Sequence, residues 1–368
     1  MTIKELAYSA QQHLQANTGG SIKRAHVYEL LAASFGFNSH AAFGVDTVLT
    51  ELRQSDRRVV PQSVLIKRRC IELGYQPDTA TLASSALESF LAERQIGVAS
   101  IPSLVSRLRG ESSSQDEEIE YDPDELFDPT DEAFGPILLD GLAVAASKGN
   151  ALAHYALALI HAPDNEDDPD AGSSYWYSQG QQGRVLTGVE KEWAEAHEAR
   201  LAQAEKYSRH LREASRLGNQ DALLDLADRF DDPSFFEQPR HSVDADPAAI
   251  AAIAERMGRT ADAKHWLTLA AESGDTDAML QLIEEYDHAD LQRCWAWVYL
   301  SRLVGTDLTQ DAHYAINEDG SDYDDDVGGP AYVAGRDGVD LEPLGPEQDA
   351  TARLAAQKLF EQIERKAR

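Results

Sequence analysis

Hydrophobic residues recur every three or four positions along most of this chain, which is the spacing that places them on one face of an α-helix. The opening segment "MTIKELAYSAQQHL" shows the pattern at Ile3, Leu6, Ala7, Ala10 and Leu14. Glycine and proline interrupt it at short intervals and mark where one helix stops and another starts. In the first 110 residues the pattern predicts six short helices, at 2–16, 22–36, 39–53, 60–74, 78–94 and 101–109.

Three helical stretches further along are interrupted by a glycine. "AASKGNALAHYALAL" surrounds Gly149, "EASRLGNQDALLDLA" surrounds Gly218, and "WLTLAAESGDTDAMLQL" contains Gly274. In each, an alanine stands four residues before the glycine and another four after it, and a leucine stands eight after it. Glycine inside a helix costs about 1 kcal/mol relative to alanine, whereas it ends a helix in the left-handed conformation without steric cost. The pattern therefore predicts a helix, a tight turn and a second helix at each glycine.

The same arrangement recurs in a weaker form at two more glycines. "YWYSQGQQG" ends at Gly183 and "WAWVYLSRLVG" ends at Gly305, and the five glycines are separated by 34, 35, 56 and 31 residues. Helical periods of roughly 30 to 40 residues indicate stacked helical hairpins. We interpret the longest gap as one repeat plus an insertion within "FFEQPRHSVDADPAAIAAIAERMG".

These segments resemble Sel-one-like repeats, which are close relatives of tetratricopeptide repeats. "HWLTLAAESGDTDAMLQL" and "AASKGNALAHYALALI" carry the resemblance best, and "LGPEQDATARLAAQKL" resembles the closing helix of bacterial members. The resemblance covers roughly residues 136–368 and implies a right-handed α/α solenoid. It decays after Gly183, and residues 189–217 are compatible with one long helix or with two. The repeat anchors that the resemblance implies are Gly149, Gly183, Gly218, Trp266, Gly274, Trp297 and Gly305.

Charge divides the chain into unlike segments. The net charge of −31 comprises +3 for residues 1–110 and −34 for residues 111–368. Residues 111–135 hold eleven acidic residues and no basic one, a composition that cannot bury enough apolar surface to order itself. We therefore predict an all-α chain with a small helical domain over 1–110, an acidic linker over 111–135 and the solenoid over 136–368. The alternative for 111–135 is an acidic motif whose apolar side chains dock on a partner.

The sequence also bears on where the protein acts. No apolar run approaches the roughly 20 residues that span a bilayer, and the N-terminal segment lacks the apolar core of a signal peptide. The only two cysteines are Cys70 and Cys294, which implies no disulfide framework. Some secreted members of the resembled family join each hairpin by a disulfide. We expect a cytoplasmic bacterial protein that does not contact membranes.

Catalytic and metal-binding motifs are not evident in the sequence. His197 and Glu198 are adjacent, so on a helix they point about 100° apart and cannot share a site. Cys70 follows three basic residues that could lower its pKa, but a half-buried structural cysteine is the interpretation that we favour. The cluster of Arg209, Arg212 and Arg216 is typical of a solvent-exposed helix face. We expect no enzymatic activity, no cofactor and no metal.

The leading functional hypothesis is a protein–protein interaction scaffold or adaptor in a bacterial multi-protein system. A solenoid of hairpins presents a long groove that binds peptides or domains. The residues that we expect to contact the partner lie on the first helix of each hairpin: His154, Asp225, Gln281 and Glu285.

The alternative hypothesis is a nucleic-acid-linked regulator that uses the basic N-terminal domain. Its phosphate contacts would come from Lys23, Arg24, Arg57, Arg58, Lys67, Arg68 and Arg69. The acidic remainder repels nucleic acid, so we expect no appreciable duplex DNA binding by the full-length protein.

Overall fold

The computed structural model describes residues 1–43, 45–51, 61–110, 134–163, 172–238, 245–317, 321, 323 and 332–366. The described residues are mostly helical, at 67% helix, which confirms the predicted all-α class. Its contacts divide it into two compact units, Met1–Leu226 and Ala227–Arg368. In the described residues, no helix is both long enough and apolar enough to span a bilayer.

In its described residues, the first unit is built from mostly short helices, one long helix and one pair of strands. In chain order its elements are α1 (Ile3–Thr18), α2 (Arg24–Ser34), β1 (Thr47–Glu51), α3 (Ser63–Glu72), α4 (Pro77–Glu93), β2 (Ile96–Ser100), α5 (Ile101–Leu108), α6 (Pro136–Ser147), α7 (Ala151–Ile160), α8 (Ser173–Gln181), α9 (Val189–Arg216) and most of α10 (Gln220–Phe230).

One of the six predicted N-terminal helices is wrong. Residues 39–43 form turns, and β1 pairs with β2 in an antiparallel ladder in which Thr47 lies opposite Ser100 and Glu51 opposite Ile96. The segment around β1 contains Thr47, Val48 and Thr50, and β-branched side chains favour strands over helices. The partner strand lies far along the chain, so the helical spacing of nearby residues did not reveal the ladder.

Two hydrophobic clusters form the core of the first unit. One joins α1, α2 and α4 through residues such as Leu6, Leu30 and Leu87. The other joins β1 and α5 to α6, α7 and α9 through residues such as Val48 and Leu142. The N-terminal segment and the first helical hairpin thus share one core, and the contacts divide the chain after residue 226 rather than at the predicted linker. Of that linker, residues 111–133 lie outside the described residues.

The turns at Gly149, Gly218 and Gly274 are confirmed. Their φ angles are +86°, +91° and +106°, and each glycine separates two helices. At Gly274 the preceding helix ends in the left-handed conformation, and the Asp275 side chain accepts hydrogen bonds from the backbone amides of Asp277 and Ala278. Glycine and a capping aspartate therefore stop one helix and start the next within three residues.

Helix α9 is one continuous helix of 28 residues, which decides between the two alternatives for 189–217. Helix α8 packs along the N-terminal half of α9, where Tyr177 contacts His197. Helix α7 packs along the C-terminal half of α9. The buried residues of α9 are Ala194, Tyr207, Leu211 and Ala214. Most of the helix surface is therefore exposed.

The second unit continues with α11 (Ser234–Glu237), α12 (Pro247–Arg256), α13 (Thr260–Ser273), α14 (Thr276–Gln281), a π-helical turn (Leu282–Tyr286), α15 (Leu291–Val304), β3 (Ala312–Ile316), β4 (Tyr332–Arg336) and α16 (Pro346–Lys366). The predicted insertion supplies α12, which packs on α13 across a further turn at Gly258 with φ of +70°. After Gly305 the next element is the antiparallel β3–β4 pair and not a helix.

Candidate functional site

The four residues predicted to bind a partner belong to two different units. His154 on α7 and Asp225 on α10 belong to the first unit, whereas Gln281 on α14 and Glu285 in the π-helical turn belong to the second. Three of the four form hydrogen bonds inside the protein, and Glu285 is exposed.

His154 belongs to a cluster of three imidazoles between α7 and α9. Its Nδ1 atom lies 3.0 Å from Nδ1 of His210, and the ring of His161 stacks on that of His210 with centroids 6.4 Å apart. Arg209 approaches the opposite ring nitrogen of His210 at 3.5 Å. A hydrogen bond between two Nδ1 atoms needs one donor and one acceptor, so the pair requires at least one neutral ring.

The surroundings of this pair favour neutral imidazoles. Burial, together with the charges of the neighbouring Arg209, His154 and His161, lowers the pKa of His210 to about 4. Burial also lowers the pKa of His154, against the opposing charge of Glu213. At neutral pH the pair therefore joins two helices through an uncharged hydrogen bond.

Asp225 holds α10 against α7. Its Oδ2 atom accepts a hydrogen bond of 2.9 Å from the hydroxyl of Tyr155, whose side chain is buried. One helical turn earlier, Asp221 forms a 2.8 Å ion pair with Arg109, which follows α5. Burial raises the pKa of the Tyr155 hydroxyl, and the charge of Asp225 raises it further. Asp225 is thus part of the internal packing of the first unit.

Gln281 and Glu285 lie beside a polar surface that was not predicted from the sequence. The Oε1 atom of Glu255 on α12 accepts hydrogen bonds from Gln281 Nε2 at 2.7 Å and from the hydroxyl of Tyr286 at 2.6 Å. Burial raises the pKa of Tyr286 above its ordinary range. The π-helical turn leaves Glu284 and Glu285 exposed beside these groups, and such turns are frequent at functional sites.

Asp287, directly after the π-helical turn, is the buried charge of this region. It is 3% exposed, and its carboxylate contacts Lys264 Nζ at 2.7 Å, Arg293 Nε at 2.8 Å and Trp297 Nε1 at 3.0 Å. Asp287 and Glu255 were not among the predicted site residues, because their partners come from other helices and leave no periodic signal in the sequence. Trp297, predicted as a repeat anchor, packs here with its indole nitrogen satisfied.

The structure supports the favoured interpretation of Cys70 as a structural cysteine, which is fully buried rather than half-buried. Cys70 is 1% exposed, and burial raises the pKa of its thiol to about 11. The basic residues beside it are occupied, since Arg68 and Arg69 pair with Glu72 on the same helix at 3.7 and 2.9 Å. Burial likewise raises the pKa of Cys294 to about 11.

The basic residues of the alternative hypothesis are only partly described. Arg24 donates to the carbonyl oxygen of Lys4, whereas Arg57 and Arg58 lie outside the described residues. Within the described ranges, no group of three or more His, Cys, Asp or Glu side chains has an arrangement suited to a metal ion. Comparison with protein-family models, curated proteins and solved structures finds no match.

Proposed function

We propose that this protein is a non-catalytic scaffold that binds another protein, and that its helical hairpins stack as a Sel-one-like solenoid. The observation that carries the proposal is the polar surface around the π-helical turn. Glu284 and Glu285 are exposed there, and Gln281 and Tyr286 are held by one carboxylate oxygen of Glu255. A surface that combines free carboxylates with positioned polar groups favours a partner segment rich in Lys or Arg.

Further support comes from the repeated helix, glycine and helix arrangement at three sites, which is the building block of solenoid binding surfaces. The low cysteine content and the family resemblance support a role in the bacterial cytoplasm. His154, Asp225 and Gln281 form hydrogen bonds inside the protein. Alanine at these positions would therefore perturb packing as well as binding, which changes the set of residues expected to contact the partner.

Site-specific photo-crosslinking in the native host tests the proposal. A photoreactive amino acid at position 285 should capture one defined protein, whereas the same amino acid at the exposed Glu364 of α16 should not. Replacing Glu284 and Glu285 together by alanine should weaken the purified complex without lowering the melting temperature, since neither side chain is buried.

Equal crosslinking from both positions, or an unchanged complex in the double variant, would contradict the proposal. Tight, sequence-selective binding of duplex DNA by the full-length protein, measured by fluorescence anisotropy, would favour the nucleic-acid regulator instead.

A further inference from the structure

The exposed side of α9 carries a regular stripe of charged residues. We call it the outer stripe, and its members follow one another at intervals of four or three residues, which keeps them on one helix face. They are Lys191, Glu195, Glu198, Ala202, Lys206, Arg209 and Glu213. All are exposed except the half-buried Glu213, while the packed residues Tyr207 and Leu211 lie on the other side of the helix.

The charges of the outer stripe are arranged symmetrically about Ala202. Residues at equal distances before and after Ala202 have opposite charges: Lys191 with Glu213, Glu195 with Arg209, and Glu198 with Lys206. Glu192 and Arg212, next to the stripe, follow the same rule. The remaining charged residues of this stretch, Arg200 and Glu205, correspond to Ala204 and Ala199. No two like charges correspond anywhere between residues 191 and 213.

Ion pairs within the helix engage only part of this arrangement. Glu213 pairs with Arg216 at 2.7 Å, and both side chains are substantially exposed. Lys191 and Glu195 approach to 3.5 Å, but their side chains are 60% and 62% exposed, and such pairs contribute little stability. Within the described part of the chain, Glu198 and Lys206 form no ion pair. Charges that stay unpaired in the monomer are available to a second molecule.

We propose that the outer stripe is the contact surface for a second copy of this chain, with the two α9 helices packed antiparallel about a two-fold axis at Ala202. A two-fold axis at Ala202 brings each residue of one helix opposite the residue at the same distance on the other side of Ala202 in the second helix. Each pair of opposite charges listed above would therefore form twice across the interface. The small side chain of Ala202 lets the helices approach closely at the axis. An unrelated partner would require complementarity but not this symmetry.

The consequence is a dimer that depends on salt concentration. Each exposed ion pair contributes little alone, and salt screens all of them together. A dimer would present two copies of the polar surface near Glu285, which would raise the avidity for a multivalent partner. The proposed dimer does not depend on the scaffold function, and its tests require no partner.

Cysteine crosslinking tests the position of the axis. The variant Ala202→Cys should form a disulfide-linked dimer under mild oxidation at low salt, because the two introduced thiols would face each other. The matched control is Ala204→Cys, since Ala204 is also exposed but points about 200° away around the helix. The native Cys70 and Cys294 are buried and should not compete. Equal crosslinking of both variants, or none in Ala202→Cys, would overturn the proposal.

Charge reversal tests the register in the otherwise native chain. Glu198→Lys and Lys206→Glu should each raise the dimer dissociation constant about tenfold, because each creates two repulsive pairs across the axis. The double variant should return within about twofold of the wild type, since it restores opposite charges. Sedimentation velocity at low salt measures the change, and Glu364→Lys on α16 controls for net charge. A monomeric wild type, or a double variant no tighter than the single ones, would reject the antiparallel pair.

Discussion

At the scale of single residues, Gly274 shows why a glycine interrupts an otherwise helical sequence. Its φ of +106° is strained for any residue with a side chain. A Cβ atom there would meet Ile363 and Val304 no closer than 3.7 Å, so crowding is not the reason for glycine. The requirement at this position is therefore a property of the backbone conformation.

We predict that Gly274→Val lowers the free energy of unfolding by about 1–2 kcal/mol or more, because a β-branched residue resists positive φ. Urea titration followed by tryptophan fluorescence measures the change. Gly20→Val is the control, since Gly20 has no positive φ and its nearest atom would lie 3.8 Å from the new Cβ. Equal stability of wild type and Gly274→Val would show that the strain is absent.

The His154–His210 pair predicts a pH dependence of stability. The pKa of His210 is about 4 in the folded protein and about 6.5 in an unfolded chain. Between these values the unfolded state binds more protons, so the free energy of unfolding falls as the pH falls from 6.5 towards 4.

We therefore predict that wild type loses about 1 kcal/mol more stability than His210→Gln between pH 6.5 and pH 5, a figure reduced for the partial exposure of the ring. Glutamine keeps a donor for His154 but does not titrate. Denaturant titrations of both proteins at the two pH values provide the test. Parallel losses would show that the pair carries no proton linkage.

At the scale of elements, Asp287 fixes the end of the π-helical turn. It receives one cation from α13 and, from α15, a second cation and an indole N–H. These bonds join α13, the end of the π-helical turn and α15 at a single buried carboxylate. The turn itself widens the helix just before Asp287 and places Glu284 and Glu285 in solvent.

Replacing Asp287 with asparagine should cost about 2–3 kcal/mol, because Lys264 and Arg293 lose their counter-charge. The cost falls below that of a fully buried pair because both cations are 40% exposed. Chemical denaturation measures it, with Asp340→Asn on the surface as the matched change. A variant as stable as that control would mean that the cations are satisfied by water.

At the scale of the whole molecule, the shared core of residues 1–110 and 134–226 determines what cleavage of the acidic segment will do. The backbone N–H of Ile3 donates to Asp140 Oδ2 at 2.9 Å, and a Cβ atom at Gly141 would lie 3.1 Å from Val48. Helix α6 therefore packs closely against both α1 and β1, although the predicted linker separates α6 from these two elements in the sequence.

We predict that a protease specific for acidic residues cuts first between Glu111 and Glu132, and that the two fragments stay together in gel filtration without denaturant. They should separate in urea, where the shared core is lost. The variant Gly141→Leu should weaken the association of the cut fragments, because the larger side chain cannot fit against Val48. Fragments that separate without denaturant would show that the two segments fold independently.

The helical class and the positions of three hairpin turns could be predicted from the sequence alone. A glycine that closes a helix and the capping residue after it act within a few positions of each other, so Gly149, Gly218 and Gly274 could be identified without knowledge of the fold. The sequence did not decide whether α9 is one helix or two, because a turn can occur without a glycine, proline or asparagine to mark it.

The roles of the polar residues became apparent only from the contacts between elements. Asp225 accepts a hydrogen bond from Tyr155, and Glu255 accepts hydrogen bonds from Gln281 and Tyr286. The two partners in each of these bonds come from different elements. β1 exists because β2 lies beside it, although about 45 residues separate them. Periodicity reports which face of an element is buried but not which element covers it, so interactions between distant segments lay beyond the sequence pattern.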